Sequence, residues 1–461
     1  MKKILLSISF FSLTFFSNAQ SWVEQGPTFP AAQRGINEIT IVDANTVWCL
    51  GYDGEPISAS HPETLNIQEF TRTIDGGVTW ISGTIDVGDS SYNINNISAV
   101  SATTAWVSAI DPTVTGVTDL NDGIGVTYKT TNGGATWVQQ NPNGFQVSGE
   151  SFMNGIHFFN ENVGIAFGDP QGGEFEIYRT TNGGNTWTRL AASAVPNPLS
   201  NEYGYNGGNV FVGSTGWLVT NKGRILRTSD MGATWTVSQA PLTDFSGTSQ
   251  SGNIHFSTVN NGCLLKKVNT TYTFYTTTNG GTTWSAATPY TGAYYVIDYV
   301  PNTNILVATS ALSATSTPPG TSGSAYSLDN GTSWTTIDSG EQRGAISMFD
   351  SSTGWCGGFS DAVDPLVSAG IFKLNGNLSN EIFTPSKFKV YPSPANNFVT
   401  ITAESTDAYS LKITDLSGKV MMSSELSGMD NTVDVSNYAS GIYLFEIKSG
   451  NRTDTIKVVK N

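Results

Sequence analysis

The chain has 461 residues, only 13% of them charged, and its 37 acidic side chains outnumber 22 basic ones to leave a net charge of −15. A surface so poor in Lys and Arg excludes nucleic acid and anionic membranes as natural partners, because both are bound chiefly through cations. Forty-nine glycines, with abundant Thr, Asn and Ser, suit turn-rich β structure rather than helix.

Residues 1–19 read as a secretory signal: Lys2 and Lys3, an apolar run from Ile4 to Phe16, then the small residues Ser17 to Ala19. No later apolar run is long enough to predict a transmembrane segment.

Residues 20–376 are predicted to form one repeat domain. A first-strand motif, apolar–polar–apolar followed by a short turn, begins near Ile36, Ile94, Met153, Gly207, Ser251, Tyr294 and Arg343. After each of the first six comes an octapeptide: TIDGGVTW, TTNGGATW, TTNGGNTW, TSDMGATW, TTNGGTTW and SLDNGTSW, ending at Trp80, Trp137, Trp187, Trp235, Trp284 and Trp334. A period of about fifty residues signals stacked supersecondary units, each too small to bury its own faces. Within each box the third residue (Asp75, Asn132, Asn182, Asp230, Asn279, Asp329) is expected to bond the backbone two residues on, while the next pair supplies the positive φ of a tight hairpin. Seven starts against six boxes leave the seventh sheet without an outer strand. The segment SWVEQ at Ser21 is like TWVQQ after the second box's turn, so the first strand is predicted to close the ring.

Aligning the seven first strands gives one polar column: Thr40, Ser98, His157, Asn209, His255, Asp298 and Ser347. Alternation with apolar neighbours points these side chains at a hydrated central channel, with no structural metal and no cofactor expected. The second strands end in acid at Asp53, Asp111, Asp169 and Asp361, and Arg34 and Arg343 enter first strands on the same rim. Read functionally, these six are candidate ligand-binding residues of a carboxylate-rich rim; read structurally, Asp-Gly and Asp-Pro are ordinary turn starters. Catalytic residues are not identifiable. Long insertions at 112–125 and 310–324 are expected on that rim. Cys49 and Cys356 follow strand tryptophans in neighbouring blades, where sheets about 10 Å apart exceed a disulfide's span, so buried free thiols are expected.

The boxes resemble the Asp-box (BNR-type repeat) of sialidase-like and photosystem II assembly-factor-like β-propellers, in which the motif sits in a hairpin away from the pore. The resemblance implies a β-propeller, and with the seven first strands and the short C-terminal strands the expected fold is all-β: a seven-bladed β-propeller followed by a small Ig-like β-sandwich. It does not extend to a sialidase site, since Arg72, Arg179 and Arg227 lie in strands leading into boxes and the usual Arg-Ile-Pro signature is missing.

Residues 377–386 read as a linker and 387–461 as about seven short strands. Val390–Pro394, Leu416–Lys419, Gly441–Tyr443 and Lys457–Lys460 resemble, in order, the motifs of the C-terminal sorting domain of type IX secretion cargo in Bacteroidota, with Ser393 where Asn is usual. The resemblance implies the type IX machinery and its sortase as partners, and a secreted or outer-surface location reached through the periplasm. The function expected is binding or scaffolding with a glycan or protein ligand; the alternative is a glycoside hydrolase using rim carboxylates, so enzyme status stays open.

Overall fold

The computed structural model describes residues 20–26, 29, 34–54, 66–111, 124–140, 144–147, 150–311, 321–358, 370–378, 387–403, 405–406, 408–449 and 452–461. The signal segment, most of both rim insertions, Asp361 and most of the linker lie outside the described residues, as does the side chain of Asp111. Two compact units are present, within Met1–Ser379 and Asn380–Asn461.

The first unit contains seven four-stranded antiparallel sheets among the described residues. Six follow chain order, such as Arg34–Ile41, Val47–Asp53, Glu69–Thr73 and Ile81–Thr84. In the seventh, Ser21–Gln25 is the outer strand beside Ile371–Asn375, Gly354–Gly358 and Arg343–Met348, in register from Ser21 opposite Asn375 to Gln25 opposite Ile371. The likeness of SWVEQ to TWVQQ thus reports a shared place in the blade. Gln25 also reaches sideways: its Oε1 accepts from Trp80 Nε1 of the first blade at 3.3 Å and from Trp355 Nε1 of its own at 3.2 Å.

The core is divided into clusters between neighbouring sheets. Trp48, Phe70, Ile97 and Val107 fill the first gap, Trp217, Ile254 and Leu264 a gap halfway round, and Ile36, Trp80, Trp355 and Ile371 the gap that joins the last sheet to the first. Each sheet buries one face against each neighbour, which is why the repeat is stable only as a ring.

The boxes close on one pattern, with the amide Nδ2 donating to the Thr hydroxyl in the three Asn boxes and the hydroxyl donating in the three Asp boxes. Thr73 Oγ1 donates to Asp75 Oδ1 (2.8 Å) and accepts from Gly77 N (2.9 Å), while Thr79 donates to Asp75 through N (2.9 Å) and Oγ1 (2.6 Å). The aspartate therefore ties the turn four residues on, not two as its type alone suggests. Gly76 and Gly77 have φ of 71° and 88°, and Met231 and Asn330 adopt the same left-handed region at the equivalent position. The first of this pair donates to the first turn of its own blade in all six boxes, as Gly76 N to Asn45 O at 2.9 Å.

A cation one residue before the box's opening Thr secures the ring. Arg72 Nε, Lys129 Nζ and Arg179 Nε each donate at 2.9 Å to the next blade's box, on Gly133 O, Gly183 O and Met231 O, and Lys373 Nζ reaches Gly76 O at 2.7 Å across the closure. Arg72, Lys129 and Lys373 also lie over the buried indoles of Trp48, Trp106 and Trp355 at 4.8–5.3 Å. Such a contact contributes about 0.5–2 kcal/mol. The three cysteines are free and buried.

The second unit is a sandwich of a three-stranded sheet (Phe388–Tyr391, Phe398–Ala403, Asp430–Asp434) and a four-stranded sheet (Val420–Leu426, Tyr409–Asp415, Gly441–Ser449, Arg452–Lys460) around Val399, Ile401, Leu411, Ile413, Phe445 and Ile447. Alternation sends these residues inward and Lys412, Glu446 and Lys448 out. The Leu416–Lys419 turn is closed by Asp415, which accepts from Ser417 N and Lys419 N.

Candidate functional site

All seven residues of the polar column line one cavity of about 1200 Å³ bounded by the first strands. They use it unequally. Ser98, 4% exposed, accepts from Phe158 N of the next blade at 2.8 Å; Thr40 Oγ1 donates to Ile97 O at 3.1 Å; Asp298 Oδ2 accepts from Met348 N at 2.9 Å. The column therefore serves partly as blade-to-blade fastening rather than as groups held only by water. Asn209 folds back on its own loop, donating to Tyr205 O. His157 stacks on Phe211, centroids 3.7 Å apart and planes 3° from parallel, and burial holds its imidazole down at about 3. Burial likewise depresses His255 to about 4, so both rings are neutral at physiological pH.

A second channel layer escapes the alignment. Glu38 Oε2 accepts from Ile97 N at 2.8 Å, and Asn96 Oδ1 accepts from Ile156 N at 2.7 Å, linking three blades in succession. Burial pushes the Glu38 carboxyl up to about 7 against the pull of its hydrogen bonds, and does the same to Asp298. The register shifts between Ile36 and Glu38, and between Ile94 and Asn96, bulges that turn these residues inward.

The rim residues separate into two groups. Asp53 and Arg34 are opposite one another on the first two strands, and Arg34 Nη1 meets Asp53 Oδ1 at 3.3 Å while its Nε faces Glu69 Oε2 at 3.4 Å. Arg343, 2% exposed, makes a bidentate pair with Asp338 at 3.0 and 2.8 Å, its guanidinium 4.7 Å from the Phe372 ring. Expected to face a ligand, these three side chains instead close ion pairs, Arg34 with Asp53 buried and Arg343 with a partly exposed Asp338, because the ends of adjacent strands bring opposite charges together. Asp111 ends its strand as expected, with nothing described of its side chain, and Asp361 lies outside the described residues.

Asp169 is different. It projects into a cleft of about 520 Å³ formed by the ends of the third blade's strands and the connections running from blade three to four and from four to five, lined by Asn154, Tyr203, Tyr205, Ser246 and Asn253. Its Oδ1 accepts from Asn154 Nδ2 at 2.7 Å and Gly204 N at 2.8 Å; burial nevertheless raises the carboxyl to about 6. Asn206, Gly207, Gly208 and Asn253 border both the cleft and the channel, so the two spaces are contiguous. Tyr203–Asn206 precede the fourth first-strand repeat and carry no repeat motif of their own. Among the described residues no helix is long and apolar enough to cross a membrane.

No curated protein matches the sequence significantly. Solved structures that are similar include YCF48 bound to D1 peptide (15% identity, TM-score 0.49, 78% of this chain and 97% of that one). YCF48 from Cyanidioschyzon merolae is similar at 16% identity and TM-score 0.46, over 77% and 98%. PorZ, described as a surface component of the type-IX secretion system of Porphyromonas gingivalis, is similar at 12% identity and TM-score 0.36, over 94% and 66%. Residues 389–461 match the secretion system C-terminal sorting domain, which marks the chain for export by type IX secretion to the cell surface or the medium.

Proposed function

We propose that this chain is an exported binding propeller that holds a glycan or protein ligand on the rim carrying Asp169, with the C-terminal unit serving only as its export address. One observation carries the reading: the cleft beside the channel presents an anchored carboxyl, an amide and two tyrosines on a rigid ring, the mix of few fixed polar groups and aromatic surface that ligand sites use. Asp53 is taken up by its ion pair with Arg34, and Asp169 is the candidate acid that lines this cleft. Hydrolysis of a glycoside needs two carboxyl groups about 5–10 Å apart across the bond.

The test is to incubate the purified chain with bacterial and plant glycans and surface proteins, scoring retention and reducing-end release together. Retention without release is the expected result; release would replace binding with hydrolysis. For the export half, deleting residues 386–461 should leave the propeller folded but confined to the periplasm, and parental levels outside the cell would contradict it.

A further inference from the structure

The Asp169 cleft has a chemical character of its own. At its floor Asn154 is 3% exposed, and no hydrogen bond among the described residues uses its Oδ1 or the Oδ2 of Asp169. Neither atom is sealed from solvent, since neither is among the buried side-chain atoms without a partner. Two acceptors are thus held in fixed positions, one on an amide and one on a carboxyl, with their other atoms already engaged. On the wall, the Tyr203 ring is 44% exposed and stands edge-on to Tyr205 at 5.5 Å and 77°. Tyr205 is itself fixed by donating to Asp244 Oδ1 at 2.6 Å. Among the described residues no Lys, Arg or His lines the cleft.

These features select an occupant. An anionic sugar or phosphate would meet a carboxyl, no compensating cation and a chain of net charge −15. An apolar molecule would leave the two acceptors desolvated without partners. A pyranose has an apolar C–H face for an exposed aromatic ring and hydroxyl donors for fixed oxygens, and hydroxyls are discriminated well by sites built to bond them. A volume of about 520 Å³ is within the range of small-ligand sites and has room for a short oligosaccharide. We propose that this cleft binds a neutral oligosaccharide, with Tyr203 as the stacking platform and Asp169 and Asn154 accepting sugar hydroxyls. The assignment rests on the binding reading above and names its ligand class.

Calorimetric titration of the purified chain tests it. The probes are the pentaoses of glucose, mannose, xylose, galactose and N-acetylglucosamine, with pentagalacturonate as the acidic probe and pentalysine as the basic one. At least one neutral pentaose should bind, and Tyr203→Ala and Asp169→Asn should each weaken it about tenfold or more. Tyr203→Trp should keep binding, and all three variants should melt like the parent. Neutral-sugar binding indifferent to Tyr203→Ala and Asp169→Asn would overturn the site and leave the binding reading standing. Binding of only pentagalacturonate or pentalysine, or of no probe while the broader panel is retained, would overturn the ligand class. Silence in both experiments would overturn the binding reading with it.

Discussion

The two rims of the propeller are built from the ends of the same strands, yet their polar groups do opposite things. On the rim of the boxes, Asp75 and its five counterparts spend their side chains inside their own turn, and in four of the six a turn carbonyl takes a cation from the blade before. On the other rim the repeat breaks down, and there a carboxyl and an amide keep oxygens that the protein does not use. Repetition in this molecule marks fastening. The place where blades three, four and five depart from the repeat is where polar oxygens are left without protein partners among the described residues.

Breaking the fastening should cost most where the ring closes. Deleting residues 20–26 removes the outer strand of the seventh sheet and the Gln25 bridge between two indoles. The expected outcome in thermal melts is loss of cooperative unfolding, or aggregation through the exposed edge. A truncated protein that melts like its parent would show that the ring does not depend on this strand.

Within a box, Trp235→Ala removes a side chain 6% exposed from a packed cluster, and denaturant unfolding should register a loss of about 3–5 kcal/mol. Tyr203→Ala, on the other rim, should stay within about 0.5 kcal/mol. Equal losses would erase the contrast between the rims.

The channel's carboxyls contribute a pH dependence of definite sign. Glu38 is raised to about 7 from an ordinary 4.5, so folding favours its protonated form. The stability this contributes is complete below about pH 4.5 and is lost as pH rises through 7; Asp298 acts in the same direction. His157 and His255, held by burial below the ordinary 6.5, act oppositely and add stability as pH rises toward 6.5, so melting temperature should fall only between about pH 6.5 and 8. Glu38→Gln, which can still accept from Ile97 N, should flatten part of that fall and raise stability at pH 8; a variant with the parental slope would remove Glu38 from the account.

Asp75 runs the other way. Hydrogen bonds, chiefly from Thr79, hold it down to about 2, so its contribution is present above the ordinary carboxyl range and is lost only as pH falls through 2. Asp75→Asn should leave neutral-pH melting unchanged, because Asn132 already closes the same turn with Nδ2 donating to Thr136 Oγ1 at 2.8 Å.

What could be read from the sequence follows the same division. The boxes were legible because their geometry demands particular residues: Gly, Asn or Met at a left-handed position, and Asp or Asn with Thr at fixed offsets. Ring closure was legible because SWVEQ and TWVQQ occupy equivalent strands. The Arg34–Asp53 pair was misread, since strand ends say which residues are adjacent but not which way their side chains fold; Asp338, the partner of Arg343, sits on an outer strand that carries no motif. Glu38 and Asn96 were missed because a bulge breaks the alternation that locates Thr40 and Ser98. Tyr203 and Asn154 gave no signal, as a cleft assembled from three blades has no local pattern.

Hydrogen exchange with a retained glycan tests the central contrast most directly. Amides of Tyr203–Gly208 and Ser246–Asn253 should gain protection, while the six box turns exchange as in the free protein. Protection confined to the box turns, or none around Tyr203, would contradict the account.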